Sequence, residues 1–146
     1  MPKVIEIAVA QKSKGQMKSI DNVETVVGKG LVGDRHFKEN NEIRCQITLI
    51  EIENINYFNR ISGTSIPAIE FRRNIITEGI KLNDLVGSEF LIGKVKVKAH
   101  DLCRPCKYLQ ESLKQKNLVK ELLHKSGLRC EILTSGKIFI EDEIKK

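Results

Sequence analysis

The sequence predicts a mainly β fold of the α+β type: a strand-rich barrel or curled sheet carrying two or three short helices. Two observations carry this. Seven or eight short segments are apolar, alternating or continuous, and are separated by glycine-containing turns. The few segments with helical spacing do not alternate regularly with those strands, which argues against a doubly wound parallel sheet. The 146 residues contain no repeat, low-complexity tract or linker, so one domain over residues 1–146 is expected.

The elements follow in order. Residues 3–10 alternate as a first strand, and NVETVVG (Asn22 to Gly28) packs its valines as another. A glycine-punctuated loop, GKGLVGDRHF, follows from Gly28 to Phe37. CQITLI (Cys45 to Ile50) is apolar enough for a buried strand. EIENINYFNRI (Glu51 to Ile61) sets Ile52, Ile55 and Phe58 on a helical stripe, and Glu53 suits its first turn. FRRNII (Phe71 to Ile76) reads as a strand, and Leu82 to Gly87 as a turn-like connector. Glu89–Ile92 and Lys94–Ala99 are strands split by Gly93; Val95, Val97 and Ala99 alternate with Lys96 and Lys98, leaving one wet face. Cys106–Leu113 and Leu118–His124 have helical spacing, with Gly127 placed to end the second helix. Leu128–Leu133 and Lys137–Ile140 close the chain as strands around a Ser135-Gly136 turn.

Composition bounds the function. Hydrophobic content of 40% and charged content of 30% belong to a folded, water-exposed chain rather than a disordered one. No apolar run approaches the roughly 20 residues of a membrane span. MPKVIEIAVAQKSKG lacks a cleavage pattern and reads as a strand rather than a signal peptide, so the cytoplasm is the expected location and no membrane partner is expected. The four cysteines (45, 103, 106, 130) are then expected as thiols. The net charge of +6 reads as a solvated basic surface, with Lys12, Lys14 and Lys18 clustered in a loop. Aromatic content of 5%, with no tryptophan, disfavours nucleic acid as a partner, whereas a positive field suits a small anion.

Three constellations carry chemistry. AHDLCRPCKYL places Cys103 and Cys106 around Arg104-Pro105, between a strand and a helix. No second CxxC or HxxxH completes a four-ligand zinc site, and the βαβ setting of a thioredoxin-type redox pair is missing. A single soft-metal ligand and a pair of buried core thiols both remain open. In the second, Gly33-Asp34-Arg35-His36, Arg35 and His36 offer donors to an anion and Asp34 can orient one of them; the alternative is a surface turn with an ion pair. In Phe71-Arg72-Arg73-Asn74, adjacent arginines on a strand would face opposite ways, one inward beside Asn74. The alternative is a charged edge strand. His100 ends a strand near the cysteines, while His124 reads as a cation late in a helix. Cys130 and Cys45 read as core residues.

Taken together, KGLVGDRHF, CQITLIE, FRRNIITEGIKLNDLVGSEFLIG, LCRPCKYL and LRCEILTSGKIFIEDEI resemble, in this order, the MOSC domain, named after the C-terminal domain of molybdenum-cofactor sulfurases. The resemblance runs from about Gly28 to Ile144 and implies a barrel-like fold that binds the molybdenum cofactor, a metal held by a phosphorylated pyranopterin dithiolene. It makes Cys106 the candidate molybdenum ligand and catalytic cysteine, with Cys103 as a catalytic neighbour. It maps Arg72, Arg73 and Asn74 onto the segment that approaches the cofactor. Asp34, Arg35, His36 and Arg104 join them as candidate cofactor-binding residues.

Two activities follow from the resemblance. In the first, Cys106 carries sulfur as a thiolate or persulfide in cofactor sulfur transfer. In the second, the chain is a molybdenum-dependent reductase of N-hydroxylated compounds. A third reading, of another class, is a non-catalytic module binding an anion or a partner. No pyridoxal-phosphate desulfurase domain and no flavin or haem motif accompany the match. A separate cysteine desulfurase or electron-donor protein is therefore expected as partner, with molybdenum-cofactor enzymes downstream. The family's larger members carry a domain in front that contributes cofactor contacts. With some 27 residues ahead of the match, none is expected here, and a homodimer partner is the candidate to complete the pocket.

Overall fold

Alternation predicts which way each strand faces, and the computed structural model, which describes residues 1–146, follows it closely. Eleven strands form: β1 (Lys3–Val9), β2 (Lys18–Ile20), β3 (Asn22–Val26), β4 (Gly30–Leu31), β5 (Ile47–Glu51), β6 (Ile75–Glu78), β7 (Glu89–Ile92), β8 (Val95–Leu102), β9 (Leu128–Ile132), β10 (Gly136–Phe139) and β11 (Ile144–Lys145). Three short helices accompany them: α1 (Ile52–Ser62), α2 (Lys107–Ser112) and α3 (Leu118–Glu121). Eight strands make one curled sheet in the order β11-β7-β8-β9-β5-β6-β1-β2, and β10-β3-β4 make a smaller one. The large sheet closes on itself through the C-terminal segment. Glu143 bridges Lys3, Val4 N–H donates to Asp142 O at 2.9 Å, and Ile144 N–H donates to Pro2 O at 2.9 Å.

Every strand pair is antiparallel except β5 and β6, whose parallel pairing needs a crossover, supplied by α1. That pair is buried on both faces. Leu49 and Ile75 point into the barrel core with Val95, Val97, Cys130 and Ile132, while Ile50 and Ile76 face a second cluster under the helices. This explains the consecutive apolar residues Leu49-Ile50 and Ile75-Ile76 there. Ile55 and Phe58 of α1 fill that second cluster, with Phe58 edge-on to Phe71 at 6.0 Å. Leu109 anchors α2 in it. Burying one such side chain contributes about 2 kcal/mol. A six-residue helix has too little propensity to form alone, so this docking holds α2 in place.

The differences from expectation fall at element ends. Phe71–Ile76 is not one strand: Ala68–Phe71 forms a 3₁₀ turn and the strand begins at Ile75. Arg72 takes a left-handed conformation (φ 64°) between them, so Arg72 and Arg73 lie in a loop rather than on opposite strand faces. The helix expected over Leu118–His124 stops at Glu121. Gly127, at φ +101°, serves close packing rather than a helix end: a Cβ there would collide with the Leu49 carbonyl. Cys45 lies outside β5, half-buried, with its thiol 3.8 Å from Glu42. The short strands β2, β4 and β11 were below the length that alternation reveals.

Candidate functional site

Strand β8 delivers the cysteine pair. Its register against β9 slips between Ala99 and Asp101, so His100 is the extra residue of a bulge. Bulges re-aim a strand end, and here Leu102 comes to pair with Leu128 and the chain then turns away through Cys103. Cys103 N–H donates to Gly127 O at 2.7 Å, and Pro105 is buried, so the turn is fixed at both ends. The two thiols part there. Cys103 is 5% exposed, and burial raises its thiol above the ordinary value against the partial opposition of the nearby Arg73 cation. Cys106 is exposed and caps α2, its sulfur accepting from Leu109 N–H at 3.3 Å.

Cys106 opens on a cleft of about 200 Å3 lined by Ser13, Lys14, Arg35, Arg72, Arg73, Tyr108 and Leu109. Four cations and no carboxylate line it. Asp34 sits below the lining with a side chain 1% exposed, bonded to Arg35 Nη1 at 3.0 Å and accepting from Ala10 N–H at 3.1 Å. Burial alone would raise this carboxyl; hydrogen bonds from His36 and Ala10, with the Arg35 charge, outweigh it and hold it below its ordinary value. Arg35 is correspondingly strained electrostatically. Burial lowers its guanidinium, as do the Arg72 and Arg73 charges, with Asp34 opposing. One carboxylate therefore offsets only part of a positive cluster, and an incoming anion would find fixed donors.

Unlike Arg35, which pairs with Asp34, Arg72 and Arg73 are held by neutral oxygens rather than by countercharges. Arg72 Nη1 donates to Gly15 O at 2.6 Å, pinning the β1–β2 loop, and its guanidinium lies 6.0 Å from the Tyr108 ring. Arg73 donates to Ser126 O and Oγ, both at 2.9 Å, and to Arg104 O at 3.4 Å. Lys14 Nζ lies 5.3 Å from the centroid of the same Tyr108 ring.

Of the residues singled out in the sequence, Arg35, Arg72, Arg73 and Cys106 share the cleft, with Asp34 beneath them. His36 is beside Asp34, its Nδ1 3.5 Å from Oδ2, but nearly half exposed and outside the lining. Cys103 and Arg104 line a different cavity. Asn74 is 2% exposed and turned into the sheet: Thr48 N–H and Oγ1 donate to its Oδ1, each at 3.2 Å, and its Nδ2 donates to Ala8 O at 3.1 Å. Its side chain ties β1, β5 and β6 together behind the arginines. Ser13, Lys14 and Tyr108 were not foreseen; the lysine cluster of the β1–β2 loop was the signal that could have pointed to them. His100 pairs instead with Glu131, at 2.9 Å. Among the chain's His, Cys, Asp and Glu residues no cluster of three is arranged to hold a metal ion.

A curled β-sheet that gathers arginines and an exposed thiol at one loop cluster defines a barrel-like fold with a thiol-bearing, cationic cleft. The chain belongs to the MOSC domain family, whose model matches residues 27–145, and this family is linked to molybdenum-cofactor binding. Its fold is similar to the crystal structure of the YuaD protein from Bacillus subtilis, with a TM-score of 0.81 at 23% identity, covering 99% of this chain and 94% of that one. It is also similar to YiiM from Geobacillus stearothermophilus (TM-score 0.77, 18% identity, 99% and 74% covered). YiiM from Escherichia coli gives 0.74 at 18% identity, with 99% and 69% covered. These likenesses concern the fold. No curated protein matches the chain. No helix is long and apolar enough to cross a membrane.

Proposed function

We propose that the chain handles the molybdenum cofactor, with Cys106 as the sulfur-bearing residue in cofactor sulfur transfer. The observation that carries this is the pairing of an exposed thiol with a carboxylate-free cationic lining in one cleft. The donor set fits the group. Arg35, Arg72, Arg73 and Lys14 suit a phosphate, and a single thiolate suits a soft metal whose remaining ligands come with the cofactor itself. When bound, the cofactor supplies a molybdenum centre able to take up a terminal sulfur.

The chain's own part is to accept and present that sulfur. Cys106 thiolate attacks the outer sulfur of a persulfide on a cysteine desulfurase. The S–S bond of the donor breaks, the donor leaves as a thiolate, and Cys106 becomes the persulfide. No electrons are gained or lost overall. The test is incubation with a cysteine desulfurase, pyridoxal phosphate and ³⁵S-cysteine, followed by mass mapping. A single extra sulfur on Cys106, absent from Cys106→Ser, is expected. Label on another cysteine, or none on this chain while the desulfurase itself is labelled, would overturn the sulfur-transfer reading. In that outcome, turnover of a hydroxylamine with an artificial reductant would favour the reductase instead.

A further inference from the structure

The Cys103–Cys106 turn contributes to two hollows: Cys106 lines the cationic cleft, while Cys103 and Arg104, with Leu102, Val119, Leu123 and His124, line a second cavity of about 560 Å3. This volume lies in the range of small-molecule sites. We propose that this cavity binds a small organic anion with an apolar body, seated against Leu102, Val119 and Leu123 with its charge toward Arg104.

Leu102, Pro105, Val119 and Leu123 give the cavity an apolar side, on which Leu123 is 54% exposed. The charges favour an anion. The Asp101 carboxylate is already committed to Arg129 through two hydrogen bonds, with Arg44 3.9 Å away. The Arg104 side chain, in contrast, has no hydrogen-bond or ion-pair partner within the chain, only its carbonyl being used, by Arg73. Cys103 contributes a neutral, small apolar surface.

The cavity is also preformed, which a mere surface hollow is not. One wall is pinned by Cys103 N–H to Gly127 O and by Arg73 to Arg104 O. The other is pinned by Val119 N–H to Gln110 Oε1 at 3.0 Å, Tyr57 OH to Glu121 Oε2 at 3.1 Å and Asn83 Nδ2 to His124 O at 2.8 Å. His124 is held by that last bond in a left-handed conformation (φ 63°), a backbone state that side chains with a Cβ seldom adopt. From sequence, His124 reads only as a cation late in a helix; in the structure α3 stops at Glu121 and His124 lines the same cavity as Cys103.

The test uses the purified chain without cofactor, so it stands apart from the molybdenum reading. ¹⁵N-labelled protein is titrated with 1-naphthoate, and with 1-naphthalenemethanol as the uncharged counterpart, while amide shifts are followed. Saturable shifts at residues 101–104 and 119–124 are expected with naphthoate. Binding should fall at least tenfold in Arg104→Gln, in Val119→Trp, which fills the space, and for the alcohol on the wild type. Shifts centred on Ser13, Lys14 and Tyr108 would overturn the proposal, since the anion would then occupy the other cleft. So would affinity unchanged in Arg104→Gln, or no saturable shift at residues 101–104 and 119–124 at millimolar naphthoate.

Discussion

Asn74→Ala separates support of the site from participation in it. The Asn74 side chain satisfies Thr48 N–H and Ala8 O, two groups on strands that flank the arginine loop. Alanine removes both partners at a position 2% exposed, where water has little access. An orphaned buried backbone group costs about 1–3 kcal/mol, so two cost about 2–6 kcal/mol before relaxation. Thr48 is only half-buried, so water reaching its N–H limits the loss. About 2–4 kcal/mol is the resulting expectation, equivalent to a fall in Tm of about 4–16 °C for a chain of this size. Thermal and urea unfolding followed by circular dichroism would measure it. A midpoint within about 2 °C of wild type, with weakened anion binding in the cleft, would refute this reasoning and make Asn74 a ligand.

Gly127→Ala forces a Cβ into the Leu49 carbonyl at a left-handed φ, so β5 must shift; urea unfolding is expected to show a loss larger than that of Asn74→Ala, or no folded protein. For Asp34, a carboxyl held below its ordinary value stabilises the fold at neutral pH, and that contribution is lost as pH falls from about 4 through the folded-state value. Urea midpoints from pH 7 to 3 should therefore fall less steeply in Asp34→Asn, which starts lower at pH 7. Alkylation of the native protein with iodoacetamide, read by mass spectrometry, should modify Cys106 first and half-buried Cys45 later. Cys103 and Cys130, both buried with thiols raised above the ordinary value, should react only on unfolding.

What could be read from the sequence depended on range. Val95, Val97 and Ala99 announced their strand because alternation is local and the buried face is one-sided. Cys103 and Cys106 announced a turn between strand and helix, and their opposite exposures follow from that turn. The left-handed Arg72 was not legible, because a run of apolar residues around FRRNII suits a strand equally well; the deciding contact is with Gly15, 57 residues away. Asn74 looked like an adaptable donor beside two arginines. Only the register of β1, β5 and β6 shows its amide already taken. Lys14 and Tyr108 meet across the fold, and no local pattern couples a loop lysine to a helix tyrosine. The closure of the sheet likewise depends on Lys3 meeting Glu143 at the far end of the chain.

Metal and pterin analysis shows whether Cys106 and the cationic cleft receive the molybdenum cofactor. Wild type, Cys106→Ser and Cys103→Ser would be purified from a host shown to load another molybdenum protein. Molybdenum and pterin retained by wild type and by Cys103→Ser, and lost from Cys106→Ser, is the predicted result. No metal or pterin in any of the three, or equal content in all, would contradict it.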